Sequence, residues 1–219
     1  MALYRDRRDA GEKLADALED LRGTPNLLVL ALPRGGVPVA ERVARRLGAP
    51  LDVFLVRKIG YPGHEEFAMG AVASGGVVIV DPQVVRSVPE PLFRQALEQA
   101  VQELNEREKL YRNERPPPNV EGRTVVLVDD GLATGSTMRA AVEAIRRQGP
   151  RQIFVAVPIA SRDTCELLAR EVDGIICAAT PEPFRAVGLW YDDFSPTTDD
   201  EVRRILASQA GEAGAEAPP

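Results

Sequence analysis

Two adjacent carboxylates, Asp129 and Asp130, close the apolar run Val125-Val126-Leu127-Val128. After Gly131-Leu132-Ala133 comes Thr134-Gly135-Ser136-Thr137, which opens a helical stretch reaching Gln148. A buried strand that turns into a helix start rich in small and hydroxyl residues is a natural anion cradle. Free backbone N–H groups and the positive end of the helix dipole meet there. Ser136 and Thr137 add hydroxyl donors, and the paired carboxylates at the strand end supply acceptors for hydroxyl groups. A phosphate cradle beside paired hydroxyl acceptors suits a ribose 5-phosphate.

Three further segments hold residues able to do chemistry. In Leu32-Pro33-Arg34-Gly35-Gly36-Val37 two glycines permit close backbone approach to a ligand, and Arg34 offers a guanidinium suited to phosphate. The alternative is a tight turn carrying a solvated Arg. Arg57-Lys58-Ile59-Gly60 sets two cations at a strand end, either for a ligand or for solvent. The stretch from Thr180 to Phe194 collects Phe184, Trp190, Tyr191 and Phe194. These rings either face a planar ligand or form a small satellite core beneath the last helix.

The elements that must position these residues alternate. Apolar runs at 26–32, 51–56, 125–128, 153–157 and 174–177 read as buried strands, and the intervals at 38–47, 137–148 and 164–171 as helices. An amphipathic helix at 7–21 precedes them and a last helix at 199–208 follows. Alternation of this kind predicts a doubly wound α/β fold with a parallel five-stranded sheet. Right-handed crossovers give the order 2-1-3-4-5. The switch point then lies between Leu32 and Asp129, where open α/β sheets bind ligands. Two segments break the rhythm. One, about 60–118, holds a hairpin (67–73 with 77–80 around Ser74-Gly75-Gly76) and a long helix, 91–112, of unassigned role. The other is the aromatic loop at about 180–196. Residues 1–209 read as a single domain, and the Ala/Gly/Pro/Glu-rich tail 210–219 as disordered.

The 125–137 string resembles the 5-phosphoribosyl-1-pyrophosphate (PRPP) binding motif of type I phosphoribosyltransferases. That resemblance implies the doubly wound fold with a small hood and a lid. It implies Mg²⁺-dependent transfer of the 5-phosphoribosyl group from PRPP to a nitrogenous base, releasing pyrophosphate. By resemblance, Ala133, Thr134, Gly135, Ser136 and Thr137 bind PRPP together with Gly35 and Gly36. Asp129 and Asp130 hold the ribose hydroxyls, and Arg34 and Lys58 stabilise the leaving pyrophosphate. The family also uses a cis non-proline peptide in the loop after its first strand. The segment Tyr61–Ala73 occupies the place of the flexible catalytic lid, with Gly60, Gly63 and Gly70 as hinges, and it contains His64, the chain's one histidine. In the hood, Phe184, Val187 and Trp190 correspond to base-binding positions. Asp193 falls near a metal-bound pyrophosphate, directly or through water. Hypoxanthine-type members carry an Asp where this chain has Ala133, so the string is more similar to adenine and orotate transferases. Arg162 is a second residue able to reach a base.

A PRPP- or nucleotide-sensing module of the same fold is the alternative from another class. PRPP synthesis would require a separate ATP site, and dinucleotide binding a GxGxxG after the first strand. The net charge of −6 argues against nucleic acid as a partner. No apolar run is long enough to span a bilayer, and the first residues lack the apolar core of a signal peptide. The expected setting is the cytoplasm, with Cys165 and Cys177 as reduced, packed thiols. PRPP and a nucleobase-like small molecule are the expected partners, and a homodimer is compatible with these features.

Overall fold

The computed structural model describes residues 2–112 and 115–215. After helix α1 (Arg7–Asp16), the central sheet is built from β1 (Leu27–Ala31), β2 (Leu51–Val53), β6 (Thr124–Val128), β7 (Gln152–Ile159) and β8 (Gly174–Ala179). Its order is β2-β1-β6-β7-β8 and every pairing is parallel, which is the expected 2-1-3-4-5. Successive side chains of a strand point to opposite faces. Val29, Ala31, Val126 and Val128 therefore enter one core, with α1, α2 (Gly36–Leu47) and α7 (Asp199–Ala215). Leu28, Leu30, Val125 and Leu127 enter the other, with Met138, Ala141, Val142 and Ile145 of α5 (Ser136–Arg146). Helix α6 (Arg162–Ala169) covers that second face beside β8.

A second sheet, β3-β4-β5, is antiparallel: Val56–Tyr61, His64–Ala73 and Val77–Val80. The one-turn α3 (Pro82–Val85) and the long α4 (Glu90–Arg112) follow, and α4 lies across β3 and β4. The hairpin expected around residues 74–76 is present. The expected strand 67–73 is longer than its pattern: β4 begins at His64, inside the segment assigned to the lid, and pairs with β3, Lys58 with Ala71 and Ile59 with Gly70. Glycines and charges interrupt the alternation from 57 to 66, so the strand pattern there is not readable. Gly63 does supply a turn, at φ 77°. Gly70, expected as a hinge, serves close strand approach, because a Cβ there would collide with the Ile79 carbonyl.

Two other expectations change. Cys165 of α6 and Cys177 of β8 are joined as a disulfide, not held as free thiols. Packing α6 against β8 brings their Cα atoms to 6.6 Å, a proximity that a twelve-residue spacing does not announce. Helix α7 also runs through residues 210–215, the first part of the tail expected to be disordered. The rest of that tail, 216–219, lies outside the described residues.

Candidate active site

The carboxyl ends of β1 and β6 lie in register, Ala31 beside Val128, and the Leu32 N–H donates to the Val128 carbonyl at 2.9 Å. The loop after β1 therefore meets the turn after β6, as the switch-point argument requires. The approach is tight. A Cβ at Gly35 would overlap Asp130 Oδ2, and one at Gly36 would lie 2.8 Å from the Val128 carbonyl oxygen and 2.9 Å from Asp129 Cα. Only residues without a side chain fit between the strand ends. The Pro33–Arg34 peptide in this loop is cis, the feature that the family resemblance implied without locating.

Asp129 Oδ1 accepts the N–H of Asp130 at 2.8 Å. Burial, and then the neighbouring charge of Asp130, hold the Asp129 carboxyl well above the usual carboxylate range. Asp130 Oδ2 accepts Arg7 Nε at 2.8 Å. The Asp130 carbonyl accepts the Tyr191 hydroxyl at 2.6 Å. Burial, with the charge of Asp130, pushes the Tyr191 phenol up, so it stays a donor.

Beyond the acid pair, Gly135 takes φ 68° immediately before α5, and no side chain caps that helix start. The amide groups opening α5 thus lack a side-chain acceptor. Ala133, Thr134, Ser136 and Thr137 surround them, and all four are exposed. The loop is clipped from behind. The Ala133 carbonyl accepts the Thr164 hydroxyl at 2.7 Å and the Ser161 hydroxyl at 3.2 Å, and the Ser161 N–H donates to the Leu132 carbonyl at 3.0 Å.

Lys58, on β3, shares with Thr137 a cleft of about 560 Å³ also lined by Tyr61, Gly63 and Gln99. It shares with Ser136 and Thr137 a second cleft of about 770 Å³ between the small sheet and α5. Its neighbour Arg57 is ion-paired with Glu103 of α4. Arg34 is 43% exposed, and its Nη1 stands 3.9 Å from Asp199 Oδ2 at the start of α7. His64 is exposed at the hairpin end, beside the Tyr61 ring. Arg162 pairs on the surface with Glu182.

The hood is a packed unit. Phe184, Val187, Trp190 and Phe194 pack against Tyr4, Tyr191 and Ile159. This is the satellite core, but it is built on the N-terminal segment, not beneath α7. The Leu3 and Tyr4 N–H groups donate to the Trp190 carbonyl, and the Asp192 N–H to that of Tyr4. Val187 comes near the acid pair, since a Cβ at Gly131 would sit 2.5 Å from Val187 Cγ1. Asp193 turns back on its own loop, with Oδ1 accepting the Ser195 N–H and hydroxyl. Those bonds lower its pKa. A metal role for Asp193 would use its other oxygen, and among the described residues no three His, Cys, Asp or Glu side chains cluster as a metal site.

The phosphoribosyl transferase domain model matches residues 4–174. The chain belongs to that family. A Mycobacterium tuberculosis H37Rv protein provisionally named a phosphoribosyl transferase is 43% identical over 208 residues, 94% of this chain and 47% of the relative. The chain thus spans about half the length of the curated relatives it matches first. A bifunctional protein PyrR of Corynebacterium efficiens is 28% identical, with 71% of this chain and 74% of the relative covered. Among solved structures, TT1426 of Thermus thermophilus is 45% identical, covers 95% of this chain and 99% of its own, and superposes with a TM-score of 0.84. The matched domain stops at 174, before the hood and α7. Among the described residues no helix is long and apolar enough to cross a membrane.

Sequence spacing missed three residues that reach this centre, Arg7, Ser161 and Thr164, and the bond of Tyr191 to the Asp130 carbonyl. Arg7 lies 123 positions from its partner Asp130, and a lone Arg in an N-terminal helix carries no signal of that contact. Ser161 precedes α6 as its N-cap, a role that a serine before a helical run can signal. Its second task, bonding the Leu132 and Ala133 carbonyls, has no local signal.

Proposed function

We propose that this protein transfers the 5-phosphoribosyl group of PRPP to a nitrogenous base and releases pyrophosphate. The observation that carries this is the side-chain-free contact of Gly35 and Gly36 with Asp130 and Asp129, beside an uncapped helix start. The N–H groups opening α5, with Ser136 and Thr137, would hold the 5-phosphate. Asp129 and Asp130 would take the ribose 2- and 3-hydroxyls and fix the sugar. The bond from ribose C1 to the pyrophosphate oxygen breaks, with its electron pair leaving on the pyrophosphate. The base nitrogen lone pair forms the new bond to C1. Negative potential from the acid pair favours the positive charge that develops on the sugar. The loop at 33–36 and Lys58 would receive the growing charge of the pyrophosphate. The donor set suits Mg²⁺, which binds few protein carboxylates and prefers substrate phosphate oxygens and water. Asp193 would meet it directly or through water. Bound there, Mg²⁺ would supply neutralisation of the leaving group's charge. Val187, with Phe184 and Trp190 behind it, would form the wall facing the base.

The test is pyrophosphate release from PRPP and Mg²⁺ across a panel of purine, pyrimidine and other nitrogenous bases. Release with one class of base supports transfer. PRPP binding that the double substitution Asp129→Asn/Asp130→Asn abolishes, with no turnover on any base, would favour the sensing module. Failure to bind PRPP at all would refute both.

A further inference from the structure

Arg7 opens α1 and reaches the middle of the site with a side chain only 11% exposed. Its Nε donates to Asp130 Oδ2 at 2.8 Å, and its Nη1 donates to the Ser195 carbonyl at 2.7 Å. The guanidinium carbon lies 3.9 Å from the centre of the Phe194 ring. A Cβ at Gly35 would come within 3.2 Å of Nε. One planar cation thus touches the acid pair, the loop after β1 and the end of the hood. Among the described residues it is the cation ion-paired with Asp130.

Burying a guanidinium is costly unless its donors are matched, and an apolar side chain would fill the same space at lower cost. The match here is directional. Nε fixes one oxygen of Asp130, while the neighbouring Asp129 has one oxygen fixed by a backbone N–H. The second oxygen of each carboxylate is then set at a defined angle. Two adjacent hydroxyls on a sugar need two acceptors so placed. The flat face of the same guanidinium lies on Phe194, so the hood cannot move without disturbing Asp130.

Resting on the phosphoribosyl reading above, we propose that Arg7 is a positioning residue of the ribose site. It aims the Asp130 carboxylate at the sugar hydroxyls and couples the hood to that aim. A lysine cannot do both tasks, because its point-like ammonium lacks the fork and the face.

Calorimetry on the full chain with three ligands tests this: inorganic phosphate, ribose 5-phosphate, and PRPP with Mg²⁺. Phosphate alone reports the cradle at 134–137, and the sugar ligands add the acid pair. Arg7→Met should weaken both sugar ligands about tenfold or more, as expected when one partner of a buried charge pair is lost, and leave phosphate within about twofold. Arg7→Lys should fall between Arg7→Met and the parent. In an Asp130→Asn background, Arg7→Met should cost little more, since the two act as a unit. If Arg7→Met fails to fold, Arg7→Lys decides, with selective loss of the sugar ligands supporting the role. Equal loss of phosphate and sugar binding would reduce Arg7 to a structural strut and overturn the proposal. Unchanged sugar binding would overturn it too. If the parent protein binds phosphate but neither sugar ligand, the ribose reading itself fails and takes the Arg7 role with it. Loss confined to the variants leaves that reading intact.

Discussion

Gly36→Ala probes the junction on which the proposed function depends. The added Cβ would sit 2.8 Å from the Val128 carbonyl oxygen, short of the 3.4 Å at which ordinary contact begins. The deficit is about 0.6 Å, and both nearest neighbours are backbone atoms at the end of β6, which cannot rotate aside as a flexible side chain would. The carbonyl in question also accepts the Leu32 N–H at 2.9 Å, so relief must lengthen the bond that joins β1 to β6 there. Overpacking of this kind costs about 1–3 kcal/mol. At about 2–4 °C per kcal/mol for a chain of this size, Tm should fall by about 2–12 °C. The functional cost should be larger. A misplacement of about 1 Å can cost about a hundredfold in rate, so about half that displacement predicts on the order of a tenfold loss in kcat/KM for PRPP. Gly48→Ala is the control. Gly48 ends the same helix at φ 64° with nothing within 4 Å of its Cβ position. It should lower Tm through left-handed strain of about 1–2 kcal/mol and leave PRPP binding unchanged. Differential scanning fluorimetry and calorimetry on both variants decide the matter. A Gly36→Ala protein that binds PRPP like its parent, or a Gly48→Ala protein that loses as much, would refute the reasoning.

The Asp129 carboxyl titrates above its unfolded value, chiefly through burial and then the Asp130 charge. The folded state therefore holds an extra proton, and the stability this adds is full below the unfolded pKa and is lost as pH rises through the folded pKa. Asp129→Asn, which keeps an oxygen for the Asp130 N–H, should raise Tm at about pH 8 and lose that advantage near about pH 3, below the unfolded carboxylate pKa. A flat difference across a Tm–pH series would contradict this. Arg112, 1% exposed, donates to Asp52 at 3.1 Å, to Glu108 at 2.8 Å and to the Val53 carbonyl. Arg112→Met strands two largely buried carboxylates where α4 is tied to β2, and should cost about 3 kcal/mol in a denaturant midpoint. An unchanged midpoint would show that the network contributes nothing net.

The central sheet was readable because β1 and β6 are short, uninterrupted apolar runs and because crossover handedness leaves few orders to choose from. The turn after β6 was readable for a related reason. Its hydroxyls, glycine and carboxylates are contiguous in sequence, so local chemistry and local structure coincide. What lay hidden was long-range or locally contradictory. The β3–β4 hairpin carries Gly60, Gly63 and Gly70 among charged residues, and only pairing with β5 and cover from α4 make it a sheet. The partners of the hood aromatics come from Tyr4, at the other end of the chain. No periodicity encodes such a contact. The expected lid hinges at Gly60 and Gly70 followed from composition, which does not separate glycine used for motion from glycine used for close packing.

The pairing of residues 3–5 with 190–193, reinforced by Arg8 with Glu201 and by Arg7 with Asp130, gives assembly of the site an order in time. On a ribosome, the first of these partners emerges nearly 200 residues before the last, an interval of about 10–40 s at ordinary elongation rates. The sheet through β7 can collapse meanwhile, and the turn at 134–137 with it. The acid pair, however, meets its hood only after residues 184–194 have emerged. On the function proposed above, a chain interrupted before residue 184 would hold the turn at 134–137 without the hood beside the acid pair, and would not consume an activated sugar.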